Sequence, residues 1–299
     1  MATDTVLLLA PRINETGLQL RTAAGRRGLR AAVAQAWQAP PELLGSAVHV
    51  YGGPLFADAV GRALDLALLE PSADWLARLP HALTGRQVAC TTLAEARRLR
   101  RRAFVKPPAD KLFAARVYPD GGALPGPELL DGDTPVLVSE VVRFRSEYRL
   151  FVLDGTVRAA SRYAVDGDLS VAPLGTTNDS RANGSGAAGS GAAGSGAAGS
   201  GAADAEVDAA EAADALAFTA EVLAASGPGA ALPSAVVVDV GLTDDGRWAV
   251  VEANAAWASG GYAADPEGVL DVVLRAGGPA ARLPGSDRPF LRELPEVVR

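Results

Sequence analysis

The chain has 299 residues, 48% of them hydrophobic and 21% charged, which suits a globular protein of one large or two modest domains with ample length for a core. A formal net charge of −7 argues against nonspecific attraction to nucleic acid or to an anionic membrane. No apolar stretch approaches the length of a membrane span. The single cysteine, Cys90, leaves no internal disulfide and fits a reducing compartment.

In chain order, "TVLLL" at 5–9 reads as a short buried strand. It has no basic leader and is too short for a secretory signal core, so a soluble cytoplasmic protein is expected. A polar stretch and a helix through about Arg26 follow, then a strand in "SAVHVYGG" (46–53) ending in a glycine turn. "PLFADAVGRALDLALLEP" (54–71) has helical spacing and stops at a proline. "DWLARLP" predicts a short helix and "TTLAEARRLRRR" a longer one. The basic run at 97–102 complements a helix C-terminus and lacks the aromatic partners of a nucleic-acid surface.

From Phe104 the pattern turns to strands. "AFVKP" is one, and its neighbourhood holds both lysines of the chain, Lys106 and Lys111, among 28 basic residues. In an arginine-rich chain that pairing suggests a need for a compact ammonium, which reaches a phosphate oxygen in a tight site where the broad guanidinium does not fit. "TPVLVSEVV" (134–142) is a strand interrupted by Glu140. "SEYRLFVLDGTVRAASRY" (146–163) reads as a hairpin turning at Asp154-Gly155. That turn would pair Glu147 with Arg162, Arg149 with Ala160 and Phe151 with Arg158, with Tyr148, Leu150, Val152, Val157, Ala159 and Tyr163 on an apolar face. The charged face is either a surface ion pair or the wall of a site.

Residues 184–203 are four perfect copies of "GSGAA", a composition too poor in apolar surface to order itself and expected to act as a flexible tether. The tract matches a GxGxxG pattern at Gly184, Gly186 and Gly189, but no strand precedes it. An alanine-rich helix spans 204–226. Then "AVVVDVGLTDDGRWAVVEAN" (235–254) gives two apolar strands joined at Asp245-Gly246, and "DPEGVLDVVLRAGG" (265–278) a last helix. A two-residue loop at Asp245-Gly246 puts Asp239 directly opposite Glu252, with Cβ atoms roughly 4.5–5.5 Å apart, which is destabilising without a counter-ion. A four-residue loop would leave them diagonal on one face. Glu252 and Asn254 share that face. Either the face is solvated, or it carries hard oxygen ligands for a cation such as Mg²⁺.

With two histidines, His49 and His81, there is little material for a histidine metal site or a Ser-His-Asp triad, and both read as packed or capping residues. No G-x-x-x-x-G-K-[ST] occurs. The phrases "FVKP", "LVSEVVRFRSEYRLFVLDG" and "VVEANAAWASGGY", in this order over roughly 86–265, resemble the ATP-grasp superfamily of carboxylate–amine ligases, and within it a clade of small bacterial proteins. The resemblance implies an α/β fold in which residues 1–85 form an N-terminal pre-grasp domain and 86–299 the ATP-grasp domain. The latter divides into a central subdomain at about 86–165, the tether at 184–203 and a metal-binding subdomain at 204–299. It implies ATP and Mg²⁺. Lys106 would contact phosphates, Glu140, Val141 and Val142 would form the adenine hinge, and Glu147 would bind the ribose hydroxyls. Asp239, Glu252 and Asn254 would hold the metal, and Arg149 and Arg162 would clamp the transferred phosphoryl group. Arg86 lies where many members carry another phosphate-contacting base. Many members follow the first lysine with a glycine-rich loop; "KPPADKLFA" has no glycine, and Lys111 stands there as the alternative closing group. The implied partners are a small-molecule or peptide carboxylate and an amine, joined through an acyl-phosphate. A kinase on the same fold, or a nucleotide-binding protein without turnover, are the competing readings.

Overall fold

The computed structural model describes residues 5–109, 111–174, 207–227 and 229–296, so the GSGAA tract lies outside the described residues. The chain opens with β1 (Thr5–Leu9), α1 (Glu15–Arg26), β2 (Arg30–Val33), β3 (Ala47–Tyr51) and α2 (Pro54–Gly61). The three strands form a parallel sheet in the order β2-β1-β3. Asn14 caps α1 by accepting from the Gly17 N–H at 2.8 Å. The helix read over 54–71 stops at Gly61. Asp65 takes a left-handed φ of 50°, and the apolar run after it becomes β4 (Leu66–Leu68), paired with β14 (Gly277–Pro279). The run "LALL" is buried along its whole length, so its spacing alone could not separate helix from strand.

The short helices α3 (Trp75–Arg78) and α4 (His81–Thr84) lead into a four-stranded antiparallel sheet. Its strands are β5 (Val88–Thr92), β6 (Ala103–Lys106), β7 (Arg116–Tyr118) and β8 (Pro135–Ser139), in the order β5-β8-β6-β7. The helix expected over "TTLAEARRLRRR" is a single turn, α5 (Leu93–Ala96), opened by a Thr92/Glu95 capping box. It ends where the backbone of Gly121 packs directly on Ala96 and Arg97, an approach that leaves no room for a Cβ. Arg97 then donates to the carbonyls of Pro125 and Leu130, at 2.8 and 2.9 Å. The basic run is therefore partly spent on holding the loop between β7 and β8.

A five-stranded antiparallel sheet follows: β9 (Phe144–Leu153), β10 (Thr156–Val165), β11 (Asp168–Leu174), β12 (Ala235–Thr243) and β13 (Trp248–Asn254), ordered β11-β10-β9-β12-β13. Two helices accompany it, α6 (Ala209–Ala225) and α7 (Pro266–Ala276). β12 is buried at every position, which explains its unbroken apolar sequence. Val236, Val238, Tyr148 and Leu150 face a core shared with α3 and α6, where Trp75, Leu76, Leu79 and Leu83 also lie. Residues 72–84 thus contribute side chains to the core of the later sheet. The opposite face, through Phe151, Ala159, Ala235 and Val237, joins one core with the N-terminal sheet and α7. Gly268 lets α7 rest on the Arg158 carbonyl, a position that a side chain would occupy. The C-terminal segment returns to the N-terminal unit: the Arg292 N–H donates to the Leu68 carbonyl at 2.8 Å, and the Glu70 N–H to that of Phe290 at 2.8 Å.

Both hairpins depart from the pairings expected of them. Asp154 and Gly155 do form the two-residue turn, with φ of 49° and 73°. A bulge at Arg158 then shifts the register, so Phe151 pairs with Ala159, Arg149 with Ser161 and Arg162 with Tyr148. A second irregularity at Tyr163 sets Glu147 opposite Ala164. In the later hairpin Leu242 pairs with Trp248, and Gly246 sits at φ 79°. The loop is longer than a two-residue turn. A bulge at Val251 offsets the difference, and Asp239 does face Glu252.

Candidate active site

On β9 and β12, alternation places Glu147, Arg149, Phe151 and Leu153 with Val237 and Asp239 on one face. Phe151 and Val237 are covered by the N-terminal unit and α7. Further along the same face the apolar cover ends, and charged residues occupy the ladder. Arg149 grips Asp239 with two parallel hydrogen bonds, Nε to Oδ1 at 2.9 Å and a terminal nitrogen to Oδ2 at 2.7 Å. The Asn254 amide donates to Glu252 at 2.7 Å and to Asp239 at 3.3 Å. Lys106, at the end of β6, forms an ion pair with Glu252 from the other sheet, and Arg149 lies 4.0 Å from the same carboxylate.

These groups tune one another. Burial raises the Asp239 carboxyl to about 6 against the opposing pull of Arg149. Burial also works to raise Glu252, but the Lys106 charge and hydrogen bond, with help from Asn254 and Arg149, bring it down to about 2. Burial opposes the Arg149 charge and Asp239 outweighs it, so the guanidinium is held charged. Glu147 is raised by desolvation, although the Tyr163 hydroxyl donates to it at 2.6 Å.

Tyr163 and Tyr262 stack with ring centroids 5.3 Å apart and lie 5.5 and 5.3 Å from the Arg149 guanidinium carbon. Tyr262 has φ 51°, a strained conformation for a bulky residue. The loop that holds it is pinned by three hydrogen bonds. Gly261 N–H donates to Thr16 at 2.8 Å, Arg149 to the Gly260 carbonyl at 3.4 Å, and Ala263 N–H to Ser161 at 3.2 Å. The sequence reading put Tyr163 on the apolar face and left Tyr262 as a loop residue. The bulge at Arg158 turns the first inward, and nothing in the residue pattern signals such a bulge.

Two cavities meet at this network. The first, about 340 Å³, is lined by Arg86, Lys106, Glu140, Val141, Val142, Glu147 and Glu252 among others. Glu140 to Val142 lie in the connection between β8 and β9, and Gln87 ties it by donating its N–H to the Glu140 carboxylate at 2.9 Å. Arg86 is buried and donates to the carbonyls of Val250 and Val251 at 2.8 and 3.3 Å. Its guanidinium thus grips the β13 bulge, and burial lowers its pKa to about 10. The second cavity, about 550 Å³, is lined by Lys111, Asn254, Trp257 and Arg292 together with residues of α2.

All but three of the expected site residues therefore line one or other of these cavities. Two of the three lie just behind the walls: Asp239, fully buried, accepts from Asn254, and Arg149 approaches Glu252. Arg162 is the exception: its register shift turns it to the Tyr148 side, where it donates to the Ser170 carbonyl at 3.2 Å. Among the described residues no group of three or more His, Cys, Asp or Glu side chains is arranged to hold a metal. Asp239, Glu252 and Asn254 offer two carboxylates and one amide oxygen, a donor set that fits Mg²⁺ when phosphate oxygens complete it. In the present arrangement Arg149 and Lys106 occupy the carboxylates. His49 is buried and His81 exposed at the first turn of α4.

No curated protein matches the chain in sequence. Solved structures do resemble it at low identity. An ATP-grasp of a RimK domain protein from Sphaerobacter thermophilus DSM 20745 is 16% identical, with 90% of this chain and 99% of that chain covered and a TM-score of 0.46. The ATP-grasp ligase PsnB complexed with minimal precursor is 15% identical, covering 91% and 99%, with a TM-score of 0.47. D-alanine–D-alanine ligase from Bacillus anthracis is 10% identical, covering 93% and 98%, with a TM-score of 0.46. Among the described residues no helix is long and apolar enough to cross a membrane. The model of the ATP-grasp domain, R-2K clade family 2, matches residues 83–272, more than half of the sequence, and the chain belongs to that family.

Proposed function

We propose that the protein is an ATP-dependent ligase that activates a carboxylate as an acyl-phosphate and passes the acyl group to an amine. One observation carries this reading. Glu252 and Asn254, two residues apart on β13, line different cavities, and the amide of one donates to the carboxylate of the other. A second compartment at the same strand end suits transfer from the nucleotide to a second substrate, and hydroxylamine trapping separates ligation from simple phosphorylation.

In this reading the first cavity receives ATP. The backbone of Glu140 to Val142 meets the purine edge, Glu147 accepts from the ribose hydroxyls, and Lys106 turns from Glu252 to the phosphates. Asp239, Glu252 and Asn254 would hold Mg²⁺, which when bound would supply positive charge against the phosphates. The acceptor carboxylate attacks the γ-phosphorus, an O–P bond forms, and the bond to the β-phosphate oxygen breaks, releasing ADP. Arg149 follows the charge that develops on the transferred group. The amine then attacks the acyl carbon, the C–O bond to phosphate breaks, and inorganic phosphate leaves with the amine proton passing to solvent. Arg86 acts at one remove, by fixing the bulge that presents Glu252. Lys111 closes the second cavity, and Arg162 has no part. Residues 72–84, which share their core with the later sheet, are grouped with the ATP-grasp portion, so that the pre-grasp unit ends near Glu70.

The test is ADP release in the presence of Mg²⁺, a panel of acids and hydroxylamine as the nucleophile. Hydroxamate formed in step with ADP supports acyl-phosphate chemistry. ADP released with a stable phosphorylated product and no hydroxamate would make the protein a kinase.

A further inference from the structure

The second cavity has a wall whose charged groups are already bound to one another. Arg292 forks onto Asp58 at 2.7 and 2.9 Å and reaches Glu70 at 2.7 Å, and its guanidinium carbon lies 5.9 Å from the Trp257 ring centroid. With its fork committed to two carboxylates, Arg292 is engaged within the wall and not with an incoming anion. Much of what remains is apolar. Leu55, in the first turn of α2, is 75% exposed, and Leu112, in the segment after β6, is 53% exposed. Both line this cavity. Two leucines from distant parts of the sequence, left open to water over one hollow, mark a surface meant to be covered. Pro54, Pro71 and Pro108 extend the same lining. Polar recognition is confined to a few groups, with Asn254 tied to Glu252 and Lys111 supplying an ammonium.

We infer that this cavity takes a carboxylic acid with an apolar body, its carboxylate toward the Lys111 ammonium and its hydrocarbon between Leu55 and Leu112. The inference rests on the ligase reading and narrows it. Leu55 and Leu112 set specificity by contact area, not by hydrogen bonding. A polar or dianionic acid would bury its extra groups against hydrocarbon with no partner. The same chemistry is offered by a free apolar acid and by a peptide whose last residue is apolar.

The experiment measures hydroxamate formation with Mg²⁺-ATP and hydroxylamine over straight-chain acids of increasing length, and over amino acids and tripeptides ending in Leu, Phe, Ser or Glu. Thermal unfolding with and without Mg²⁺-ATP is followed in parallel. KM is expected to fall about fourfold per added methylene until the cavity is filled, and Leu or Phe to outperform Ser or Glu. Leu55→Asp and Leu112→Asp should flatten the chain-length series while keeping the nucleotide-induced rise in unfolding temperature. Whichever of the free acid and the tripeptide gives the higher kcat/KM identifies the source. Turnover that ignores chain length, or that favours Ser or Glu, overturns the inference and leaves the ligase reading standing. No hydroxamate from any acid, together with no nucleotide-induced shift in wild type, overturns the ligase reading and the inference with it.

Discussion

Two arginines in this molecule make almost the same set of contacts. Arg292 forks onto Asp58, reaches Glu70 and lies against Trp257. Arg149 forks onto Asp239, approaches Glu252 and lies against Tyr163 and Tyr262. The first set joins the C-terminal segment to the N-terminal unit, and Arg292 pairs with both of its carboxylates. The second has a further cation, Lys106, a bridging amide, Asn254, and a cavity on either side. Fork geometry alone does not tell a staple from a site. What separates them is whether another cation could take over the carboxylates and free the arginine for a new partner.

The largest expected effects test that difference directly. Arg292→Ala removes the cation that Asp58 and Glu70, both partly buried, share and should lower stability by about 3 kcal/mol. Urea unfolding should give the same loss with and without Mg²⁺. Arg149→Met strands Asp239 in the same way, but here Mg²⁺ should restore part of the loss. Equal responses to Mg²⁺ would erase the distinction between the two clusters. Next, Mg²⁺-ATP at about 100 times its dissociation constant should stabilise wild type by roughly 2.7 kcal/mol. Lys106→Ala should lose most of that gain at the same concentration, and Arg292→Lys should keep it.

A smaller effect concerns pH. Glu252 falls from 4.5 in the unfolded chain to about 2 in the folded one, chiefly because Lys106 overrides burial. Its stabilising share is thus fully present above about pH 4.5 and is lost as pH falls toward 2. The stability gap between wild type and Glu252→Gln should close over that window, and an unchanging gap would mean the ion pair contributes nothing. Smallest of all, Arg162→Ala removes a bond to the Ser170 carbonyl and should lower stability by about 1 kcal/mol. The nucleotide-induced shift should be untouched.

The two Asp-Gly hairpins show how far the sequence could be read. At Asp154-Gly155 the turn was legible and the pairing beyond it was not, because the Arg158 bulge moved the partners of Phe151 to Tyr148 by one and the irregularity at Tyr163 moved that of Glu147 by two. That shift exchanged Tyr163 for Arg162 on the site face. At Asp245-Gly246 the loop length was misread, yet the facing acids were found, because the Val251 bulge offset the longer loop. Bulges answer to tertiary packing, here α7 on Arg158 and Arg86 on Val251, and leave no local pattern. Long strands and capped helices such as α1 and α7 were plain in the residues. The strands β2, β4, β5, β7, β11 and β14 were not: β4 lies in an apolar run that also reads as helix, and the others lack the compact apolar run that marked β1, β3 and β8 at similar length. Lys106 and Lys111 stood out by the scarcity of lysine, and Asp239, Glu252 and Asn254 as polar residues on an apolar strand, both of which are local signals. The roles expected of Arg86, Glu140, Val141, Val142, Glu147, Arg149 and Arg162 came from the family resemblance. Tyr262 and the Arg292 cluster depend on contacts between distant segments and had no such signal.

The extra length in the later hairpin loop and the bulge at Val251 cancel each other in the count of positions along the two strands. Each irregularity is answered where it arises. A descendant with a shorter or longer loop keeps its carboxylates face to face as long as Leu242 still pairs with Trp248 and Val251 stays out of the ladder. Moving that closing pair by one residue would instead change every partner behind it, the two acids included. Loop length is free to drift in this part of the molecule, and the first rung of the ladder is not.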